Sequence, residues 1–162
     1  MALLVLPLHG LAVAQTAPAS AVQAKPILRV SGRIAQPGSD GTVVWDEARI
    51  DALAVHSFTT TSPWFKEKTT FTGPYLSDLL DALGAKGTVL TMRALNDYSI
   101  QVPVADAYQY HPILARKINN KVITVRDKGP LFLIYPFDSL PELNTETYFA
   151  RSIWQIKSIQ VE

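Results

Sequence analysis

The sequence predicts an α+β domain, mainly antiparallel sheet with short helices. Three observations predict it. Short stretches rich in β-branched residues recur along the chain, with turn-forming residues such as Asn96-Asp97 and Asn119-Asn120-Lys121 between them. One segment, Tyr75 to Leu83, carries a helical period. A continuous apolar run, Leu131 to Tyr135, has the length of a strand buried on both faces.

Taken in order, Ile27 to Ile34 mixes β-branched and polar residues and predicts a first strand. Gln36 to Gly41 carries Pro37 and two glycines and predicts a turn. Asp46 is a candidate cap for a short helix within Trp45 to Leu53, and Val55 to Thr61 returns to strand. In the clearest helix, Leu76, Leu79, Leu80 and Leu83 fall at i, i+3, i+4 and i+7 and form one apolar face. Pro74 suits its first turn and Gly84 its left-handed end. Thr88 to Leu95 and Tyr98 to Val102 are strands joined by Asn96-Asp97, two residues that tolerate positive φ. Ile113 to Ile118 and Val122 to Val125 flank a second hairpin, and Ser152 to Val161 closes the chain as a strand. The sum is many short strands and two or three helices, with no internal repeat.

A chain of 162 residues predicts one domain. Hydrophobic residues make up 48% and charged residues only 18%, and the net charge is +1. Lys and Arg are scattered, so no basic stripe favours nucleic acid. The N-terminus is apolar and then rich in small residues, with Ala12-Val13-Ala14 and Val22-Gln23-Ala24 as candidate cleavage sites. Residues 1–24 are expected to be a secretory signal peptide and processing region, and 25–162 a single exported, periplasmic domain. No Lys or Arg precedes the apolar run, and the alternative is an apolar tail. The chain has no cysteine. An exported domain of this composition relies on its apolar core, and it offers no thiolate as metal ligand or nucleophile.

Several side chains are candidates for binding. Trp64 follows Pro63 and offers a flat apolar plate to a planar ligand, or else it caps the core. Asn96, Asp97 and Tyr98 form a hairpin turn, or they present an amide and a carboxylate at a sheet rim. Arg126, Asp127 and Lys128 form a solvated charge run, or they stand where a buried strand begins and a ligand can meet it. A carboxylate there can accept two hydrogen bonds from an amino-pyrimidine edge, and the cations can hold a carbonyl or an anion. Arg151 precedes the closing strand and could bind an anion. Trp154 alternates with Ile153, so one of the two packs inward. Catalytic templates are poorly served. His9, His56 and His111 have no metal spacing, and HExxH, CxxC, P-loop and GxSxG patterns do not occur.

Four segments in this order resemble the sulfite-oxidase, or oxidoreductase molybdopterin-binding, fold. They are Phe71 to Leu80 (FTGPYLSDLL), Ala94 to Pro103 (ALNDYSIQVP), Lys128 to Pro136 (KGPLFLIYP) and Arg151 to Ile156 (RSIWQI). The resemblance runs from about Ile27 to the C-terminus. Enzymes of that family hold molybdenum through a pterin dithiolene and a cysteine thiolate. This sequence departs there, so the resemblance implies the pocket without the redox metal. The chain is similar in length and motif order to small exported PruR-type proteins. Those bind pterins without molybdenum, and in some bacteria they signal to a membrane-bound enzyme of cyclic-di-GMP turnover.

The resemblance implies a non-catalytic, ligand-responsive protein that binds a neopterin- or monapterin-type pterin, with no molybdenum. Trp64 would stack on the ring. Asp97 or Asp127 would take its amino and ring N–H donors. Arg126, Lys128 or Arg151 would meet its carbonyl or side-chain hydroxyls. Asn96, Tyr98 and Trp154 complete the expected site. Two alternatives stand beside this. One is a molybdopterin-dependent oxidoreductase whose metal lacks a protein thiolate. The other is a structural interaction module with a vestigial pocket.

Overall fold

The computed structural model describes residues 24–162. The segment expected to be a signal peptide lies outside them, apart from Ala24. Eleven strands form three sheets, with four short α-helices between them. That is the α+β, mainly antiparallel class expected.

The largest sheet has five strands. They are β1 (Pro26–Gly32), β2 (Thr42–Asp46), β5 (Val89–Ala94), β6 (Ser99–Pro103) and β11 (Ile156–Val161), in the order β2-β1-β11-β5-β6. Every pairing is antiparallel except β1 with β11, whose register sets Val30 beside Ile159. Alternate residues face inward, and Leu28, Val30, Leu90, Met92, Val102, Ile156 and Ile159 are almost fully buried. The second sheet joins β3 (His56–Ser62), β4 (Phe65–Gly73), β8 (Lys117–Ile118) and β9 (Lys121–Val122). A two-strand sheet of β7 (Ile113–Ala115) and β10 (Phe132–Ile134) lies at the centre. Every residue from Leu131 to Tyr135 has no exposed surface. The apolar run is therefore buried on both faces, as expected.

Helix α2 (Leu76–Ala82) and its C-cap Leu83 bury the four leucines of the periodic face. Asp78 caps it by accepting from the Tyr75 backbone N–H at 2.9 Å, and the His56 ring meets the same carboxylate at 3.0 Å. Gly84 takes the left-handed conformation, φ +56°, just past the helix end, where a Cβ would come within 2.7 Å of the Ala35 Cβ. Asp46 caps α1 (Glu47–Asp51), accepting from the Arg49 N–H at 2.8 Å. Buried Arg116 ties α1 to the approach to β10. Its Nε donates to Asp51 at 3.1 Å and its Nη1 to the Pro130 carbonyl at 3.1 Å.

Several elements differ from expectation. Trp45 lies in strand β2, because the helix starts only after its cap Asp46. Strand β4 was not expected, since Lys66, Glu67 and Lys68 are exposed and leave no alternating apolar signal. The stretch around Trp64 is therefore a tight turn between β3 and β4, with Ser62 paired to Phe65, and not a longer loop. Helices α3 (Val104–Gln109) and α4 (Glu146–Arg151) were also missed. Each spans six residues, too short for periodicity to register. Residues 152–155 precede β11 and do not belong to it. Val122 ends β9, and Val125–Asp127 forms a 3₁₀ turn.

Phe132 is the centre of the packing, with ring centroids 5.7 to 5.9 Å from Trp64, Phe71 and Trp154. Phe132→Ala is expected to lower stability by about 3–5 kcal/mol in urea denaturation. A loss below about 1 kcal/mol would show that the surrounding rings are not organised by this side chain.

Candidate functional site

Three segments from distant parts of the sequence meet at one cleft of about 370 Å³. The β3–β4 turn supplies Trp64. The β5–β6 turn supplies Asn96 and Tyr98. Helix α4 and the segment after it supply Glu146, Phe149, Ser152, Ile153 and Trp154. The volume falls within the usual range for small-molecule sites, and the lining is mostly aromatic and aliphatic with a few polar groups.

Trp154 is brought here by β10. Phe132 and Trp154 form an isolated antiparallel bridge, and the Leu133 N–H donates to the Ile153 carbonyl at 2.9 Å. Ile153 is buried and Trp154 half-buried, so of the two it is Ile153 that packs inward. Trp64 stands nearly perpendicular to Trp154, with centroids 5.7 Å apart and planes at 71°. A planar ring lying flat on one indole therefore stands nearly perpendicular to the other. Trp64 also packs edge-on against Phe132 and Phe149 and is half-buried, so one side chain serves both core and cleft.

At the rim, the Asn96 side-chain oxygen accepts from the Tyr98 N–H at 3.2 Å, which directs its amide NH₂ elsewhere. Tyr98 is half exposed. Glu146 provides the carboxylate of the lining. Sequence reasoning missed it because α4 was missed. Asn144-Thr145 ahead of a helix-compatible run was the available signal.

The other expected residues stand apart from this lining. Asp97 has φ +66° and turns its carboxylate to Lys157, 2.6 Å away. The hydrogen bond from Lys157 holds the Asp97 carboxyl below its ordinary range. Arg126 and Asp127 line a separate groove, and Asp127 accepts from the Thr124 hydroxyl at 2.8 Å within its own turn. Lys128 shares that groove, yet its ammonium lies 3.9 Å from the centre of the Trp154 ring. Partial burial draws its pKa below the usual lysine value. Lys128 thus supports the indole without lining the cleft.

Arg151, at the end of α4, serves the interior. Its Nη1 donates to Asp106 at 2.9 Å, and the Tyr135 hydroxyl donates to the same oxygen at 2.8 Å. Asp106 is buried, and burial pushes the Tyr135 phenol far above its ordinary pKa. Neighbouring Tyr148 donates to the Tyr110 hydroxyl, and that hydrogen bond, followed by desolvation, raises its pKa to about 12. This network ties α3 and α4 to Tyr135, the residue after β10, and so fixes the helix that forms one wall of the cleft.

The Trp64 turn has its own tie. Asp138 accepts from the Thr61 hydroxyl and pairs with Lys68 at 3.0 Å, while its N–H donates to Thr60 at 3.0 Å. The Thr61 hydrogen bond, followed by that of Lys68, lowers the Asp138 pKa from 3.8 to about 2.

No family model matches the sequence, and no curated protein does. Among solved structures the chain is similar to the sulfane dehydrogenase SoxCD from Paracoccus pantotrophus, with a TM-score of 0.62 at 14% identity. The similarity covers 83% of this chain and 37% of that one. The fold is therefore sulfite-oxidase-like. The protein spans little over a third of the neighbour's length, and at this identity the likeness concerns fold alone.

The Asp138 tie sets a pH dependence. Its folded pKa is depressed, so its contribution is complete above pH 3.8 and is lost as pH falls through about 2. Tryptophan fluorescence should change over that window as the Trp64 turn loosens, and Asp138→Asn should remove that step. Identical acid titrations for the two proteins would show that the tie does not hold the turn.

Proposed function

We propose that the protein binds a free pterin in the Trp64–Trp154 cleft and acts, without catalysis, as a ligand-responsive periplasmic partner of a membrane enzyme of cyclic-di-GMP turnover. The observation that carries the binding reading is the pair of perpendicular indoles at a cleft of about 370 Å³, with amide, phenol and carboxylate at its rim. A pterin is flat and apolar on its faces, with N–H donors beside a carbonyl along one edge. Stacking on one indole leaves that edge free for Glu146 to accept the donors and for Asn96 to donate to the carbonyl. Glu146 thereby takes the part that the resemblance implies for Asp97 or Asp127, whose carboxylates are engaged elsewhere.

The absence of catalysis is supported by the donor set. The chain carries no cysteine, so it offers no thiolate to ligate molybdenum. Responsiveness is supported by a short connection from the cleft to the surface. The Gln155 N–H donates to the Lys128 carbonyl at 3.1 Å, its side chain donates to the Val125 carbonyl at 2.6 Å, and Lys128 covers the Trp154 ring. A ligand that shifts Trp154 acts directly on the turn at 125–128. Export is supported by the apolar, small-residue character of residues 1–24, and the partner by the PruR-type resemblance.

One observation favours a second reading. Trp64 packs on several core rings, as it would in a module whose pocket is vestigial. Titration with neopterin and monapterin, followed by tryptophan quenching, separates the two. The wild type should saturate, and Trp154→Ala and Glu146→Gln should each weaken binding by about tenfold or more while remaining folded by circular dichroism. No saturable quenching by either pterin, in reduced or oxidised form, would favour the vestigial pocket.

A further inference from the structure

On the side of the protein reached by the 125–128 turn, three exposed apolar side chains lie together. Leu95, Val122 and Val125 are 44%, 55% and 51% exposed and line one groove of about 630 Å³. Only seven large apolar side chains are prominently exposed among the described residues, so this grouping is a patch and not scatter. A second groove of about 610 Å³ adjoins it and shares Val122 and Ile123.

The free charges around the patch are predominantly positive. Lys25 and Arg29 line the first groove, and Lys121 and Arg126 the second. All four are exposed, and none has an ion-pair partner among the described residues. Of the acidic residues of the two grooves, Glu47 is paired with Arg116, while Asp127 accepts from the Thr124 hydroxyl and keeps its charge, so four unpaired cations face one unpaired carboxylate. Between the grooves lies β9, two residues long, which pairs with β8 on one side and is the edge of its sheet on the other, while the following Ile123 N–H is taken by the Arg116 carbonyl. An edge strand leaves backbone donors and acceptors for an added strand.

We propose that this face docks an extended, acidic segment of a partner protein, laid along β9 with alternate apolar side chains seated on Leu95, Val122 and Val125. The edge selects an extended conformation. The apolar patch anchors alternate residues, and the four cations select carboxylates between them. The surface stands whether or not the cleft binds a pterin, because none of its residues lines the cleft.

The full-length protein would be titrated with two blocked hexapeptides, one alternating Val and Glu and one alternating Val and Lys, under amide-detected NMR. The Glu peptide should shift resonances of Lys121 to Lys128 and Leu95, and the Lys peptide should not. Val122→Asp and the double change Lys121→Glu with Arg126→Glu should each weaken the response by about tenfold or more. Both alter exposed side chains, so the fold is expected to survive. Equal response to both peptides, shifts confined to other sheet edges, or no response at millimolar peptide would overturn the proposal. So would broadening of the same resonances with protein concentration alone, which would assign the face to a second copy. Contacts from residues 1–23 to Val122 would assign it to the chain itself. Binding of anionic phosphatidylglycerol vesicles without any peptide response would assign it to a membrane.

Discussion

Leu131 to Tyr135 have no exposed surface, and two of the three segments that line the cleft are fastened to that run. Phe132 presents its ring to Trp64 from the β3–β4 turn and to Trp154 from the segment after α4. Leu133 fixes the backbone of Ile153, and Tyr135 reaches Asp106, which in turn holds Arg151. Burying five residues with no exposed surface requires cover on both faces, and the covering elements include those that bear Trp64 and Trp154. The site is thus a by-product of closing the core, with its aromatic groups belonging to both.

This origin explains how charge is divided. Polar groups next to the buried strand are satisfied internally, as they must be in a low-dielectric interior. Arg151 and Asp106 neutralise each other, and Arg116 spends its donors on Asp51 and the Pro130 carbonyl. What remains available at the cleft is at its rim, in Asn96, Tyr98 and Glu146. The charged residues at 126–128 play three separate parts. Arg126 faces solvent, Asp127 closes its own turn, and Lys128 supports an indole.

The sequence made some of this legible. The periodic leucines, with Pro74 and Gly84 at their ends, place α2 within a residue or two. Asn96-Asp97 and Asn119-Asn120 mark real hairpins, and Asp97, Asn119 and Asn120 adopt positive φ there. The buried run was visible because it is long and wholly apolar. Strand β4 was hidden because its first half is polar and exposed, so its pairing with β3 sets it, not its own pattern. In the site, Trp64, Asn96, Tyr98 and Trp154 do meet. Their neighbours Asp97 and Arg151 do not join them, since adjacent residues in a turn or helix point in different directions. Motif position carries a residue to the right segment but not to the right side of it. Glu146 could be found only once α4 was known.

The fold is sulfite-oxidase-like, and the proposed account turns on what the cleft holds. The most direct measurement is to purify the native protein from a periplasmic extract and release any bound molecule with acid. Its fluorescence and mass would then be recorded beside a molybdenum assay. The account predicts a fluorescent pterin at near-stoichiometric amount and no molybdenum. Stoichiometric molybdenum with a molybdopterin would contradict it and make the protein an oxidoreductase.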